Sequence, residues 1–387
     1  MESALALKQL PKDIGARIAS RVCSLGQDST AMSKLVFILG AGCSVAAGAP
    51  TMPRFLDAAE SISRSGRLFE NDKEKFDLVF RAYDCLQSVY SKSSDIDLLN
   101  IESLFAAFEM ADTIGALRGL EQPNTASTLV SAITRTIVRT IEETVSFPAM
   151  GAPFPYGQFS AWVKSHCLET SILTFNYDLC LDWSLHLAGL RPDYRLPNDE
   201  PTDRGAVDVL KLHGSLNWAS CQQCGIVPKR LPELSSFEQK RAFRAGGDGS
   251  MRMAVTDAIA FQNCSRCSKA FQGEPVIVPP TWNKGGFSTN SMKTVWARAG
   301  QHLAEAEHLV IIGYSVPPTD HFFHYLYALG TMSPTRLKKI VVYNPDSSVE
   351  QRYKRLLGPT AISRFHFKSG YEGRFQDAIN QFDADVW

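Results

Sequence analysis

The chain has 387 residues, of which 44% are hydrophobic and 21% charged, and its 40 basic side chains balance its 40 acidic ones. This composition is typical of a globular protein with two or three structural units. The zero formal charge gives no reason to expect a polyanionic partner, so we expect no direct nucleic-acid binding, while a local basic groove stays open as the alternative. No apolar run is long enough to span a membrane, and residues 1–27 lack the apolar core of a signal peptide. We therefore expect a cytoplasmic protein with reduced cysteines.

The first strong element is an apolar segment that runs into a glycine-rich turn. Residues 35–39 read Leu-Val-Phe-Ile-Leu and predict a buried parallel strand, which ends at Gly40. Gly40 and Gly42 permit a tight turn and the close approach of a ligand, and Ser44 stands where a helix would begin. Such a turn can bind a phosphate group through the free backbone N–H groups at the start of the helix. The spacing is not G-x-G-x-x-G, because the next glycine is Gly48, so an ordinary strand–helix turn stays open as the alternative.

A long stretch with helical periodicity follows this turn. Residues 54–147 carry apolar side chains at spacings of three and four and predict an inserted helical module, and residues 1–33 have a similar helical pattern. The module contains no cluster of catalytic residue types. We expect it to wall a pocket or to make subunit contacts.

The rest of the chain alternates strands with helices. Buried strands are predicted at residues 171–175, 207–212, 275–278, 309–313 and 339–343. This alternation predicts an α/β fold, namely a Rossmann-like doubly wound parallel sheet. Its predicted core comprises residues 34–53, 148–218 and 275–387. Ligands of such sheets bind outside the carboxyl ends of the strands.

Polar or glycine residues stand at those strand ends. They are Asn176, Asp178, His213, Gly313, Ser315, Asn344 and Asp346. An asparagine can orient water or a ribose hydroxyl, and a histidine can act as a base near neutral pH. The alternatives are an Asx turn that caps a helix near Leu179, a structural histidine, and ordinary turn chemistry at the last two strand ends.

Two C-x-x-C pairs predict a metal site. Cys221 and Cys224 form the first pair, and Cys264 and Cys267 form the second. In a cytosolic chain this pattern indicates a four-thiolate zinc site, and four cysteine ligands leave no open coordination position, so the zinc would be structural. It would stabilise a small lobe at residues 219–274. Two unlinked or redox-active pairs are the alternatives.

Taken in order, these motifs resemble the sirtuin family. The resemblance is carried by Gly-Ala-Gly-Cys-Ser at 40–44, Gly-Ala-Pro at 48–50, Phe-Asn-Tyr-Asp at 175–178, His-Gly-Ser at 213–215 and the two C-x-x-C pairs. It implies NAD binding, with Asn176 and Asp178 beside the nicotinamide ribose and His213 as the general base. It also implies that Ser315 and Asn344 contact the adenosine half. The remaining implied NAD contacts are Gly40, Ala41, Gly42, Ser44, Gly48, Pro50, Gly313 and Asp346.

The chain departs from the lysine-deacylating sirtuins at two places. Those enzymes usually continue the Gly-x-Pro motif with Asp-Phe-Arg, whereas this chain has Thr-Met-Pro at 51–53. Where they carry a Phe-Gly-Glu segment that pairs with the substrate peptide, this chain has Pro279 and Pro280, which lack the N–H groups for pairing. Residues 175–178 and 313–320 look more like the bacterial sirtuin-like NADases of antiphage defence, in which water replaces the acyl-lysine.

We therefore predict an NAD hydrolase that releases nicotinamide and ADP-ribose. The resemblance implies a regulated effector that depletes NAD in antiphage defence, with a homo-oligomeric assembly and a protein partner or activator from the same system. An NAD-dependent protein deacylase or ADP-ribosyltransferase is the first alternative. A non-catalytic nucleotide-binding assembly module is the second.

Overall fold

A parallel β-sheet lies at the centre of the molecule, whose structure is a computed structural model. The structure describes residues 34–89, 97–115, 117, 120, 125–148, 153–166, 170–197, 206–229, 243–246, 249–256, 263–271, 274–278, 290–318, 320–332 and 337–386. The helical segment predicted at 1–33 lies outside these residues, as do Pro279 and Pro280.

The strands of the described residues divide into one large sheet and two small hairpins. They are β1 (Leu35–Leu39), β2 (Thr170–Thr174), β3 (Arg191–Asp193), β4 (Ala206–Lys211), β5 (Trp218–Cys221), β6 (Gly225–Pro228), β7 (Phe243–Ala245), β8 (Met251–Met253), β9 (His308–Ile312), β10 (Lys339–Tyr343) and β11 (Phe365–Lys368). The large sheet has the order β11-β10-β9-β1-β2-β4-β3, and all its neighbours are parallel. The pairs β5–β6 and β7–β8 are antiparallel.

The strand order reverses beside β1. From β1 the chain builds outward through β2 to the β3 edge, and then returns to the other side of β1 at β9. Leu35 pairs with Thr170 on one side and with His308 on the other, so β1, β2 and β9 end at the same level. The prediction of a doubly wound parallel sheet is confirmed. The reversal is the place where sheets of this kind bind ligands.

The central strand is held by aromatic packing. All five residues of β1 are buried, as expected for an apolar strand covered on both faces. The Phe37 ring lies 5.0 Å from the Phe159 ring, 5.7 Å from the Trp162 ring and 5.4 Å from the Phe382 ring. Helices on one face of the sheet therefore meet at the middle of β1.

The helices of the described residues fall into an insertion and a set that covers the sheet. They are α1 (Phe55–Arg64), α2 (Glu70–Val89), α3 (Ile101–Ile114), α4 (Thr125–Thr144), α5 (Pro155–Ser165), α6 (Cys180–Leu187), α7 (Asn290–Glu305), α8 (His321–Gly330), α9 (Glu350–Leu356), α10 (Pro359–Ile362), α11 (Phe375–Ile379) and α12 (Phe382–Val386). Helices α1 to α4 lie in the predicted insertion, and α1, α2 and α3 pack against α4. None of the described helices is both long and apolar enough to cross a membrane.

A charged network that starts at a buried arginine joins the insertion to the segment between the two cysteine pairs. The fully buried Arg139 of α4 lies 2.9 Å from a carboxylate oxygen of Glu142 and 3.1 Å from one of Asp72. Glu143 extends the network to Arg244 of β7 at 2.9 Å, and Glu142 accepts the N–H of Thr256 at 3.0 Å. These bonds dock the β7–β8 hairpin onto α4.

Three predicted details are wrong. Residues 275–278 do not join the parallel sheet, because β4 already has β2 and β3 as neighbours. They run antiparallel to the turn after β4, where Val278 N–H donates to His213 O at 2.8 Å. The short edge strands β3 and β11 were not predicted. The turn after β1 winds into a 3-10 helix over Ala41–Ala47, so Ser44 lies within that helix and not at its start.

Truncation of the central ring tests the packing of β1. Phe37→Ala should lower the free energy of unfolding by about 3–5 kcal/mol, because it removes a fully buried aromatic ring and leaves a cavity. Phe69→Ala is the matched control, since Phe69 is 65% exposed and its loss should change that free energy by about 0.5 kcal/mol or less. Urea unfolding followed by circular dichroism measures both values. Equal effects of the two substitutions would contradict this packing.

Candidate active site

A cavity of about 310 Å³ lies at the carboxyl ends of β1, β2, β4 and β9. Eight of the predicted site residues line it: Ala41, Ser44, Pro50, Asn176, Asp178, His213, Gly313 and Ser315. The insertion completes the wall with Phe55, Asp97, Asn100, Glu102 and Ile141. The insertion therefore walls a pocket, which is one of the two roles that its sequence suggested.

A buried polar cluster holds Asn176 at this cavity. The Asn176 side-chain amide donates to Gly40 O at 2.9 Å and lies 3.1 Å from both Ser44 Oγ and Tyr156 Oη. Ser44 Oγ donates its one proton to Asp178 Oδ2 at 2.6 Å, so the Tyr156 hydroxyl, 2.9 Å away, donates to Ser44. Burial and the nearby Asp178 carboxylate raise the pKa of Tyr156 well above its ordinary value. Tyr156 thus remains a neutral donor that orients the cluster.

Tyr156 was missed by the sequence analysis. It lies in the first turn of α5, directly after a proline- and glycine-rich stretch that looks like a linker. Only the fold brings its hydroxyl to Ser44 and Asn176. Apart from this stretch of turn residues, the sequence contains no signal that identifies Tyr156 as a site residue.

The two carboxylate oxygens of Asp178 make different contacts. Its Oδ1 accepts the N–H of Cys180 at 2.9 Å, so it caps the start of α6 as the Asx-turn alternative proposed. Its other oxygen accepts from Ser44, and the residue lines the cavity. The helix cap and the position in the cavity wall are therefore compatible.

His213 lies against the sheet side of the cavity beside a buried carboxylate. Its imidazole is 4% exposed and packs at 5.0 Å on the Phe175 ring. His213 Nε2 lies 3.7 Å from Oδ2 of Asp320, which is fully buried. Asp320 accepts the Tyr314 hydroxyl at 2.6 Å and caps α8 by accepting the Phe323 N–H at 3.2 Å. The sequence analysis did not single out Asp320, although it ends the 313–320 segment that carried part of the resemblance.

A buried lysine joins two strand ends beneath the cavity. Lys211 Nζ donates to Asp178 O at 2.7 Å and to Ser215 Oγ at 2.8 Å, and it lies 2.8 Å from an Asp182 carboxylate oxygen. Lys211 is 1% exposed and Asp182 is 4% exposed, so neither charge is shielded by water. This pair fixes the turn that carries His213 relative to the turn that carries Asp178.

The glycines of the first turn are explained by backbone packing. The N–H groups of Gly40 and Gly42 donate to Ile312 O and Gly313 O, each at 2.9 Å. A Cβ on Gly40 would lie 2.5 Å from Tyr314 Cα, and one on Gly42 would lie 2.7 Å from Gly313 Cα. Gly313 itself has φ +62°. The two amides are thus engaged within the protein, while their contact with a phosphate stays a prediction.

Five predicted site residues do not line the cavity: Gly40, Gly42, Gly48, Asn344 and Asp346. Gly48 has φ +91° and ends the 3-10 helix. Asn344 lies behind the β9 turn and donates to Tyr314 O at 3.4 Å. Asp346 accepts the Ser348 N–H at 2.9 Å, and the hydrogen bonds from Ser348 lower the pKa of its carboxyl group. The cation Arg352, which was not predicted, lines the cavity and donates to Ser315 O at 3.1 Å.

The four paired cysteines come together as predicted. The sulfur atoms of Cys221, Cys224, Cys264 and Cys267 all lie within 4.8 Å of one another. The Cys221 and Cys267 sulfurs are 3.5 Å apart, close to the separation of about 3.8 Å that a tetrahedral zinc with bonds of about 2.3 Å requires. Hydrogen bonds from backbone N–H groups, that of Cys224 first, lower the pKa of Cys221 to about 7, whereas burial raises the pKa of Cys224 to about 12. The residues fit a structural zinc ion.

Metal removal tests this site. The protein should contain about one zinc per chain, and Cys264→Ser should abolish that content and lower the thermal unfolding midpoint, because zinc binding contributes folding free energy. Cys85→Ser is the control, because Cys85 lies on α2 outside the cluster. Elemental analysis and thermal unfolding measure the two effects. A full zinc content in Cys264→Ser would contradict the site.

Loss of the buried lysine tests the link between the strand ends. Lys211→Met should lower the free energy of unfolding by about 3–5 kcal/mol, because it leaves the Asp182 carboxylate buried without its cation. The additional change Asp182→Asn should recover part of that loss. Lys338→Met removes the exposed pair with Glu307 at 3.1 Å and should cost about 1 kcal/mol or less. Urea unfolding of the wild-type protein, the two single variants and the double variant measures these free energies. A loss of unfolding free energy in Lys211→Met as small as that in Lys338→Met would be incompatible with a buried ion pair.

Comparison with known proteins finds likeness in fold alone. No protein-family model matches the chain, and no curated protein matches it either. Among solved structures, the chain is similar to a Sir2 homologue in complex with NAD, at 14% identity over 98% of this chain and 96% of that chain, with a TM-score of 0.41. It is similar at 14% identity to an ADP-ribose complex of a Sir2 homologue mutant, over 97% of this chain and 96% of that one, with a TM-score of 0.40. At these values, what this chain binds has to be argued from its own residues.

Proposed function

We propose that the protein is an NAD hydrolase that cleaves the bond between nicotinamide and ribose and releases nicotinamide and ADP-ribose. One observation carries the proposal: Ser44, Asn176, Asp178 and His213 come from three different strand ends and line one cavity beside the reversal of strand order. These are the residues to which the sirtuin resemblance assigns NAD chemistry.

The chemistry requires positive charge to be stabilised on the ribose. Nicotinamide is a cationic leaving group that departs with the electron pair of its bond to C1′, so the barrier is the charge that develops on the sugar. Asn176, held by Gly40, Ser44 and Tyr156, orients the ribose. His213 accepts a proton from a ribose hydroxyl or from water, and Asp320, 3.7 Å away, stabilises the resulting imidazolium. Water adds to C1′, and one proton is released for each NAD consumed.

The dinucleotide as a whole needs a pocket of sufficient volume and a positive charge near its diphosphate. A cavity of about 310 Å³ is at the lower end of the range for ligand pockets, so it suits the nicotinamide riboside end. Ala41 and Ser44 lie in its wall toward the diphosphate, and Arg352 supplies a guanidinium beside Ser315. The adenosine half would extend past Ser315 toward Asn344.

Water is favoured over acyl-lysine as the acceptor. Met52 and Pro53 line the cavity in place of the Asp-Phe-Arg segment typical of deacylating sirtuins. Free cleavage of NAD would harm a cell, so the activity would be regulated. We place the protein in antiphage defence in the cytoplasm, as a homo-oligomer controlled by a partner or activator of the same system.

The test is product analysis with NAD. The wild-type protein, alone and with lysate of phage-infected cells, should release nicotinamide and ADP-ribose in equal amounts. Asn176→Ala and His213→Ala should each reduce the rate by about 10²-fold or more. Asn380→Ala and His366→Ala are matched controls, since both residues are exposed and remote from the cavity, and their rates should be unchanged.

The same assay separates the alternatives. An acyl-ADP-ribose product formed with an acetylated peptide, without free ADP-ribose, would assign the protein to the NAD-dependent deacylases. Stoichiometric binding of NAD without cleavage under every condition would assign it to the non-catalytic nucleotide-binding modules. Either result would overturn the hydrolase proposal.

A further inference from the structure

Helix α8 and the two residues after it have the composition of a helix that is covered on every side. Residues 321–332 contain no Asp, Glu, Lys or Arg, and most of them are aromatic or aliphatic. One face of α8 packs into the fold through the buried Phe323 and Tyr327. A helix without a charged face is normally enclosed by other parts of a protein.

The opposite face of α8 is nevertheless exposed in the part of the chain that the structure describes. Tyr325, Leu329 and Met332 are 67%, 69% and 78% exposed. They follow one another at spacings of four and three residues, so they lie on one side of the helix and just beyond its last turn. These three side chains form the α8 stripe, which has the character of a contact surface for another apolar element.

The N-terminal segment joins the described structure near one end of this stripe. Lys34 O accepts the N–H of Glu307 at 3.0 Å, directly after α7. Helix α7 packs closely on the end of α8, because a Cβ on Gly330 would lie 3.1 Å from Leu303 Cβ. Residues 1–33 are therefore attached beside the C-terminal end of α8.

The sequence of this segment contains a matching apolar pattern. Four apolar residues recur at spacings of four, four and three: Ile14, Ile18, Val22 and Leu25. Such spacings predict one apolar helix face, and a helix over residues 12–25 would be about 21 Å long, enough to cover α8. The linker of residues 26–33 spans up to about 26 Å when extended, so the pattern can reach the α8 stripe.

The size of the α8 stripe favours a tethered segment over a second copy of the chain. Its three side chains expose about 400–500 Å², little more than half of the roughly 800 Å² that each partner buries in a stable complex. A segment of the same chain loses less translational and rotational freedom on docking, so a contact of this size is sufficient to hold it.

We propose that residues 12–25 form a helix whose apolar face packs on the α8 stripe of the same chain. The contact buries Tyr325, Leu329 and Met332. It also holds α8 in place, and Asp320, which caps α8, lies in the wall of the cavity. The contact is independent of the reaction that takes place in the cavity.

Photo-crosslinking of the full chain tests the contact. The photoreactive amino acid p-benzoylphenylalanine in place of Tyr325 keeps an aromatic ring in the stripe, and irradiation should join it to a peptide from residues 12–25. In an equal mixture with ¹⁵N-labelled chain, each joined product should carry a single isotope, because the contact lies within one chain. The same replacement of Phe69, which is 65% exposed in the insertion, is the control and should give no such product. Mass spectrometry identifies the joined peptides.

A charge in the α8 stripe should release the segment. Leu329→Asp should accelerate trypsin cleavage after Arg17 and Arg21 about tenfold or more, because cleavage follows the fraction of molecules in which the contact is open. Leu187→Asp is the matched control, since Leu187 is 65% exposed at the end of α6, a helix that packs beside β3, and its cleavage rate should equal that of the wild-type protein.

Two kinds of result would overturn the proposal. Products that join differently labelled chains would assign the α8 stripe to an interface between copies. Absence of a product with residues 12–25, or equal cleavage rates in wild type, Leu329→Asp and Leu187→Asp, would mean that this segment does not cover the stripe. Each of these results leaves the hydrolase proposal intact.

Discussion

Direct contact between two backbone turns is the constraint on which the rest of the site depends. The turn after β1 and the turn after β9 meet without any side chain between them, and Gly42 donates to Gly313 O at 2.9 Å. A Cβ on Gly40 or Gly42 would clash with this neighbouring backbone. Because β1 and β9 pair in register, the contact places the 3-10 helix with Ser44 beside the segment that leads to Asp320. Asn176 then reaches Gly40 O from the β2 side.

Buried charged groups fix the positions of the polar side chains at this site. Lys211 pairs with Asp182 and binds the carbonyl of Asp178, while Asp320 caps α8 and faces His213. Buried ions of this kind add little net stability relative to apolar packing, but the loss of one partner is costly. They therefore hold the polar groups of the cavity in one arrangement. Three of the groups positioned in this way, Asp178, His213 and Asp320, line the cavity itself.

The parts of the fold that could be predicted are those with a strong local pattern. The buried apolar runs identified β1, β2, β4, β9 and β10, whereas β3 and β11 are short edge strands with Arg, Asp, His or Lys among their residues. Residues 275–278 were misplaced because an apolar run does not reveal its partner. Strand-end residues were predicted as site candidates, but Tyr156 and Asp320 were not, because their roles depend on contacts across the fold. Ser44 and Tyr156, for example, are 112 residues apart.

The ionic docking of the β7–β8 hairpin onto α4 has a thermodynamic consequence. The hairpin lies in the chain between the two cysteine pairs, and α4 carries Ile141 in the cavity wall as well as Glu142 and Glu143 in the network. The same helix therefore contacts the β7–β8 hairpin and forms part of the pocket wall. By thermodynamic reciprocity, a metal that changed the affinity of the pocket for its ligand would have its own affinity changed by that ligand by the same factor.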